Sequence, residues 1–96
     1  MGHRRYEAVV LGKQGELLLL QEMWNSAREV FTKSLEIARE IHLPELVAAA
    51  LYGLAQAAAG LGDSEAAREN GDQSLLVYQE IHNPKADEVK EWLENL

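Results

Sequence analysis

The residues able to do chemistry in this chain are few and scattered. His42 and His82 stand forty positions apart, each after Glu-Ile and before one residue and a proline. Such a pair raises the question of a metal site or a pH switch. No companion ligand stands at metal-binding spacing beside either one. Both therefore read as partial cations at helix C-termini, worth about 0.3–1 kcal/mol there. His3 reads as a tail residue within an added Met1-Gly2-His3 segment. Asp87-Glu88 and Glu91 with Glu94 gather carboxylates near the C-terminus. Carboxylates on one helix are not an acid–base pair without a cleft, so these read as a solvated face. Gly60-Leu61-Gly62 lacks both the preceding strand and the following lysine of a phosphate loop. No nucleophile–base arrangement and no zinc-protease motif is present. The expectation is a protein that is not an enzyme and has no cofactor and no metal.

Composition narrows the class further. The 96 residues make one small domain, 1–96, with 47% hydrophobic and 26% charged residues, the balance of a folded chain rather than a disordered one. The net charge of −7 argues against nucleic acid, because phosphate binding needs clustered lysine and arginine. That charge serves solubility, and its sharper reading is a preference for basic partners. With no cysteine, disulfides and thiolate metal sites are excluded. Arg4-Arg5 before Ala8–Leu11 resembles the start of a signal peptide. Lys13, Gln14 and Glu16 break the apolar core that a signal or a membrane span requires. The expected location is cytoplasmic, with no membrane.

Most of the chain is one unit written twice. Ala27-Arg28-Glu29 returns as Ala67-Arg68-Glu69, Ser34-Leu35 as Ser74-Leu75, and Glu40-Ile41-His42 with Pro44 as Glu80-Ile81-His82 with Pro84. Residues 8–44 and 48–84 share 11 identities in 37 pairs. Chance at this composition would give roughly 3, so the period of forty is real.

The elements that position these residues follow from apolar periodicity and punctuation. A first helix is expected over 4–21. Val9, Leu11 and Leu17–Leu20 make it apolar on more than one side, as in a helix sandwiched between neighbours. Gly12 and Gly15 are expected where another helix comes close. Glu22–Asn25 is a turn, with Asn25 as the cap of the next helix. That second helix runs to about His42 and buries Val30, Phe31, Leu35, Ala38 and Ile41 or His42. Glu29 and Lys33 are spaced to pair on its outer face. Pro44 starts an alanine-rich third helix ending near Leu61. Gly62 and Asp63 give a glycine stop and an aspartate cap. The fourth helix runs from Ser64 to about His82 with Ala67, Leu75, Val77, Tyr78 and Ile81 inside. A last helix over 85–95 is apolar at Val89, Trp92, Leu93 and Leu96 and charged opposite, which suits the end of a solenoid.

At this point the pattern resembles the tetratricopeptide repeat. The residues that carry the likeness are Leu11, Gly15, Ala27, Phe31, Ser34 and Pro44 in the first unit. In the second they are Leu51, Leu54, Ala55, Ala67, Ser74 and Pro84. The turn Leu61-Gly62-Asp63-Ser64-Glu65-Ala66-Ala67 is similar to the family's own. The forty-residue period, with lengthened second helices, is similar to arrays in bacterial transcription regulators and signalling ATPases. The likeness implies an all-α, TPR-like α–α solenoid of two helical hairpins, about 5–44 and 45–84, plus a capping helix at about 85–96. Two positions depart from it. Gln14 replaces an apolar residue, and Gly71 stands where the first unit has Phe31. An empty space at Gly71 would cost several kcal/mol, so Trp92 or a side chain of another chain is expected to fill it.

The resemblance also implies a groove lined by the first helix of each pair. Its register puts Val9, Gly12, Glu16 and Leu19 there, then Ala49, Tyr52, Gly53, Gln56 and Ala59. The family members that clamp chaperone C-terminal carboxylates carry Lys, Asn and Arg where this chain has Gly12, Glu16, Ala49 and Gly53, so that activity is not expected. A mainly apolar groove with Glu16, Tyr52 and Gln56 as polar handles would suit an amphipathic helix or an extended peptide with a basic group. Trp24 and Trp92 are the candidate interface anchors, with core packing as their other reading. The functional expectation is a protein–protein interaction module, a scaffold within a larger regulatory or signalling protein. One alternative is homodimerisation through the apolar end at Val9, Val10 and Leu17–Leu20, since solenoids usually need about three repeats. The other is a sensor for a small effector or signalling peptide.

Overall fold

The computed structural model describes residues 3–96. Met1 and Gly2 of the expected tail lie outside the described residues, and His3 already belongs to the first helix. The chain forms five helices: α1 (His3–Leu20), α2 (Trp24–Glu40), α3 (Pro44–Gly60), α4 (Ser64–Glu80) and α5 (Lys85–Glu94). Each packs on the next, and α1 also reaches α3. The result is the expected all-α solenoid, two helical hairpins closed by a last helix.

The ends of α1 to α4 obey one rule. Glu22, His42 and His82 have φ of 58°, 55° and 54°, and Gly62 has 81°. These positions are spaced by half the sequence period. At each, the N–H bonds three residues back and the following N–H bonds five back. The bonds are Glu22 to Leu19 and Met23 to Leu18, His42 to Arg39 and Leu43 to Ala38, Gly62 to Ala59 and Asp63 to Ala58, and His82 to Gln79 and Asn83 to Tyr78. This is the Schellman stop, which needs one residue in the left-handed region. α2 and α4 therefore end at Glu40 and Glu80 rather than at the histidines. His42 is an exposed turn residue, not a member of the buried stripe. A side chain in the left-handed region costs about 1–2 kcal/mol that glycine avoids. Glycine's greater freedom in the unfolded chain offsets part of this. His42→Gly is expected to raise stability by about 0.5 kcal/mol or more, and Gly62→Ala to lower it by about 1 kcal/mol. Thermal unfolding of the two variants checks both signs.

Capping agrees with expectation at one helix and not at another. The Asp63 carboxylate accepts the Ala66 N–H at 3.1 Å. Asn25 caps nothing. α2 already begins at Trp24, and the Asn25 side chain accepts instead from the Arg28 guanidinium at 3.1 Å. The Trp24 indole lies against Gly60, in the space a Cβ there would occupy.

The core is built around α3, which packs on both α2 and α4 and buries Ala48, Leu51, Gly53, Ala55 and Ala57 among others. α2 buries Ala27, Phe31, Ser34, Leu35, Ile37 and Ala38, and α4 buries Ala67, Gly71, Ser74 and Tyr78. Val30, Ile41, Leu75, Val77 and Ile81, expected inside, are only half-buried. Buried Ser34 donates to the carbonyl of Ala8 at 2.9 Å, and its repeat mate Ser74 donates to that of Ala48 at 2.8 Å. Each hydroxyl ties the second helix of a hairpin to the first. A larger side chain could not enter this contact, and an alanine would forfeit a bond worth about 1 kcal/mol.

The two junctions between repeats are filled in opposite senses. The Phe31 ring from α2 enters between Gly15 of α1 and Gly53 of α3, against both glycines. Forty residues on, Gly71 of α4 replaces Phe31 and Leu93 of α5 replaces Gly53. Leu93 Cδ2 lies 2.6 Å from where a Gly71 Cβ would be, with the Trp92 ring at 3.2 Å. Leu93 is thus the main filling residue, where Trp92 or another chain was expected. It faces α4 directly, whereas Trp92 is turned toward Tyr52. Gly12 also differs from expectation, for a Cβ there would meet nothing within 4 Å.

Two further expectations about surfaces need correction. α1 is not sandwiched. It packs on α2 and α3, and Leu17 and Leu20 remain 56% and 82% exposed. The ion pairs among the described residues are Arg4 with Glu7 and with Glu40, and Lys13 with Glu16, so Glu29 and Lys33 do not pair. All three pairs are exposed and add little to stability.

Candidate functional site: a groove across three helices

Two depressions of about 660 and 340 Å³ adjoin, sharing Glu16, Phe31, Ala49, Tyr78 and Lys85 in their walls. The larger is also lined by Leu19, Tyr52, Gln56, Trp24 and Trp92, and the smaller by Val9 and Gly12. The residues singled out in the sequence therefore lie along one continuous surface. The first helices put them there through the period of forty: Gly12, Tyr52 and Trp92 are the same position in successive units. Side-chain bulk grows along that column from α1 to α5. Small residues make the floor, since Ala49 and Gly53 leave room above the buried Phe31 ring. Trp24 and Trp92 are both half-buried, so each packs inward on one side and lines the groove on the other.

Among the groove residues that escaped the sequence reading are Glu45, Tyr78, Lys85 and Glu88. Tyr78 was placed correctly in the buried stripe of α4, but its ring runs through to the groove floor and lines both depressions. Glu88 read as part of a solvated acidic face. The repeat offered a usable signal for two of them, because Lys85 is the forty-residue mate of Glu45.

The chemistry of the floor is that of neutral phenols among carboxylates. Tyr52 and Trp92 meet edge to face, with ring centres 5.8 Å apart. Burial, and then the neighbouring Glu88 carboxylate, push the Tyr52 hydroxyl up from 10 to about 12. Tyr78 is likewise pushed to about 12, by burial first and then by Glu45, Glu88, Tyr52 and Glu16. Both folded-state values exceed the unfolded one. The folded chain therefore keeps protons that the unfolded chain releases, and this contribution to stability is complete below pH 10. It is lost as pH rises from 10 through 12. Denaturant midpoints across that window are expected to fall, and to fall less steeply in Tyr78→Phe than in the parent chain.

Among the described residues no three His, Asp or Glu side chains gather to hold a metal. No helix among them is long and apolar enough to cross a membrane. The groove presents shape, aromatic surface and charge, which are the means of recognition. Fold and groove together define an interaction surface built from helical repeats. The chain belongs to the tetratricopeptide repeat family, whose repeat model matches residues 6–80, that is, nearly all of α1 and the whole of α2 to α4. Tetratricopeptide repeats are non-catalytic units that generally mediate protein–protein contact. No curated protein and no solved structure matches the chain.

Proposed function

We propose that this chain is a cytoplasmic scaffold module, part of a larger regulatory or signalling protein, that receives a segment of a partner protein along the groove. The observation that carries this reading is the continuity of the two depressions, with Trp24, Tyr52 and Trp92 half-buried along a floor of small residues. Half-buried aromatics held by their own packing offer large contact area at little ordering cost. An apolar groove of this kind takes a helix or an extended strand of peptide through side-chain anchors.

Photo-crosslinking from Gln56 in the groove and from Glu36, exposed on α2, tests the proposal in cells. Cross-links to another protein are expected from Gln56 and not from Glu36. Gly12→Trp should abolish them while the protein stays folded, because a side chain at Gly12 meets open space. A specific observation supports a second reading. Leu17, Leu20 and Met23 are 56%, 82% and 49% exposed near one end of α1, an apolar patch that a second copy could cover. Cross-links confined to Leu17, with a mass in solution that doubles with concentration, would replace groove binding by self-association.

A further inference from the structure

Tyr78 is an unusual floor for a groove. It is 1% exposed and lines both depressions, and no hydrogen bond from a described residue reaches its hydroxyl. A phenol oxygen without a partner keeps its acceptor sites free for a donor in the groove. Three carboxylates from three helices line the two depressions that Tyr78 floors: Glu16 of α1 lines both, Glu45 of α3 the smaller and Glu88 of α5 the larger. Of these only Glu16 has an ion pair, a loose one to Lys13 at 3.9 Å with both side chains mostly exposed. Lys85 lines both depressions and Lys13 lines the smaller, so two cations face three anions and one negative charge is left over.

We infer that the groove holds a basic side chain of the partner segment over the Tyr78 hydroxyl, among the carboxylates of Glu16, Glu45 and Glu88. The inference rests on the groove reading and adds the chemistry of the bound residue. A guanidinium or an ammonium donates to the unpartnered phenol oxygen and neutralises the surplus charge. The edge-to-face pair of Tyr52 and Trp92 supplies aromatic surface beside it, where a cation is further attracted. The elevated titration of both tyrosines agrees, since Glu88 acts on both hydroxyls and Glu45 and Glu16 act on that of Tyr78. The net charge of −7 draws a basic segment toward this face from a distance.

The test uses three blocked hexapeptides in which leucine alternates with arginine, with its neutral isostere citrulline, or with glutamate. Each is titrated into the whole chain while amide signals are followed by NMR. The arginine peptide is expected to shift signals around Tyr78 and to bind about tenfold or more tighter than the citrulline peptide. Glu45→Gln with Glu88→Gln should bring that ratio close to one. Tyr78→Phe, which keeps the ring in place, should weaken the arginine peptide several-fold. Equal binding of arginine and citrulline, or a preference for glutamate, overturns the inference but leaves a peptide in the groove. Shifts confined to the outer face of α1, or none at millimolar peptide, overturn both the inference and the groove as its site.

Discussion

Phe31→Ala is expected to remove about 3–5 kcal/mol, enough to bring a chain of this size close to unfolding. Phe31 is 3% exposed, and its ring lies between Gly15 and Gly53. It packs with Ala27 and Ala57, which cannot refill the space, and with Leu18, Leu19 and Leu54, whose inward shift sets how far the loss stays below the top of that range. Urea midpoints measure the loss, and a change below about 1 kcal/mol would show that the junction closes without the ring. The opposite filling of the two junctions adds a sharper expectation. Phe31→Gly with Gly53→Leu copies the Gly71–Leu93 pair onto the first junction, so the two substitutions should couple favourably instead of adding. The ring also underlies both depressions, so Phe31→Ala should weaken partner binding even where the chain remains folded.

Gly71→Phe has the second large effect. The new side chain begins where Leu93 already stands, and overpacking of this kind costs about 1–3 kcal/mol or more. α5 is the short helix that must yield, because it packs on α4 alone among its major contacts. Its amides should exchange with solvent early, and the tyrosines and Trp92 of the groove should become more exposed. Adding Leu93→Ala to Gly71→Phe is expected to restore most of the loss by vacating the space. A Gly71→Phe chain as stable as the parent would mean that Leu93 does not fill the junction.

The second effect arises at a position where local reading of the sequence was incomplete. The missing aromatic at Gly71 was plain from the repeat, and so was the need for a filling group. The group itself was not, because Trp92 and Leu93 are adjacent on one helix. Which of them faces α4 depends on the rotation of α5, and packing sets that rotation. The same holds for Tyr78. Its period placed it in the core, but only the packing of α4 against α3 and α5 brings its side chain to the groove floor.

The sequence by itself determined the helices, their order and the family. Those follow from short-range physics: a stripe every three or four residues, a proline start, an aspartate cap, and a forty-residue period repeating them. The family resemblance also marked Val9, Gly12, Glu16, Leu19, Tyr52 and Gln56 as positions of one groove. The left-handed stops at Glu22, His42 and His82 were hidden because none is glycine, and only their backbone bonds reveal them. Tertiary structure alone decided which side chain fills each junction. It alone also brought Glu16, Glu45 and Glu88, far apart in the chain, around one buried phenol. Such arrangements depend on how whole helices rotate and cross. No window of residues encodes that, because every helix takes its rotation from all of its neighbours at once.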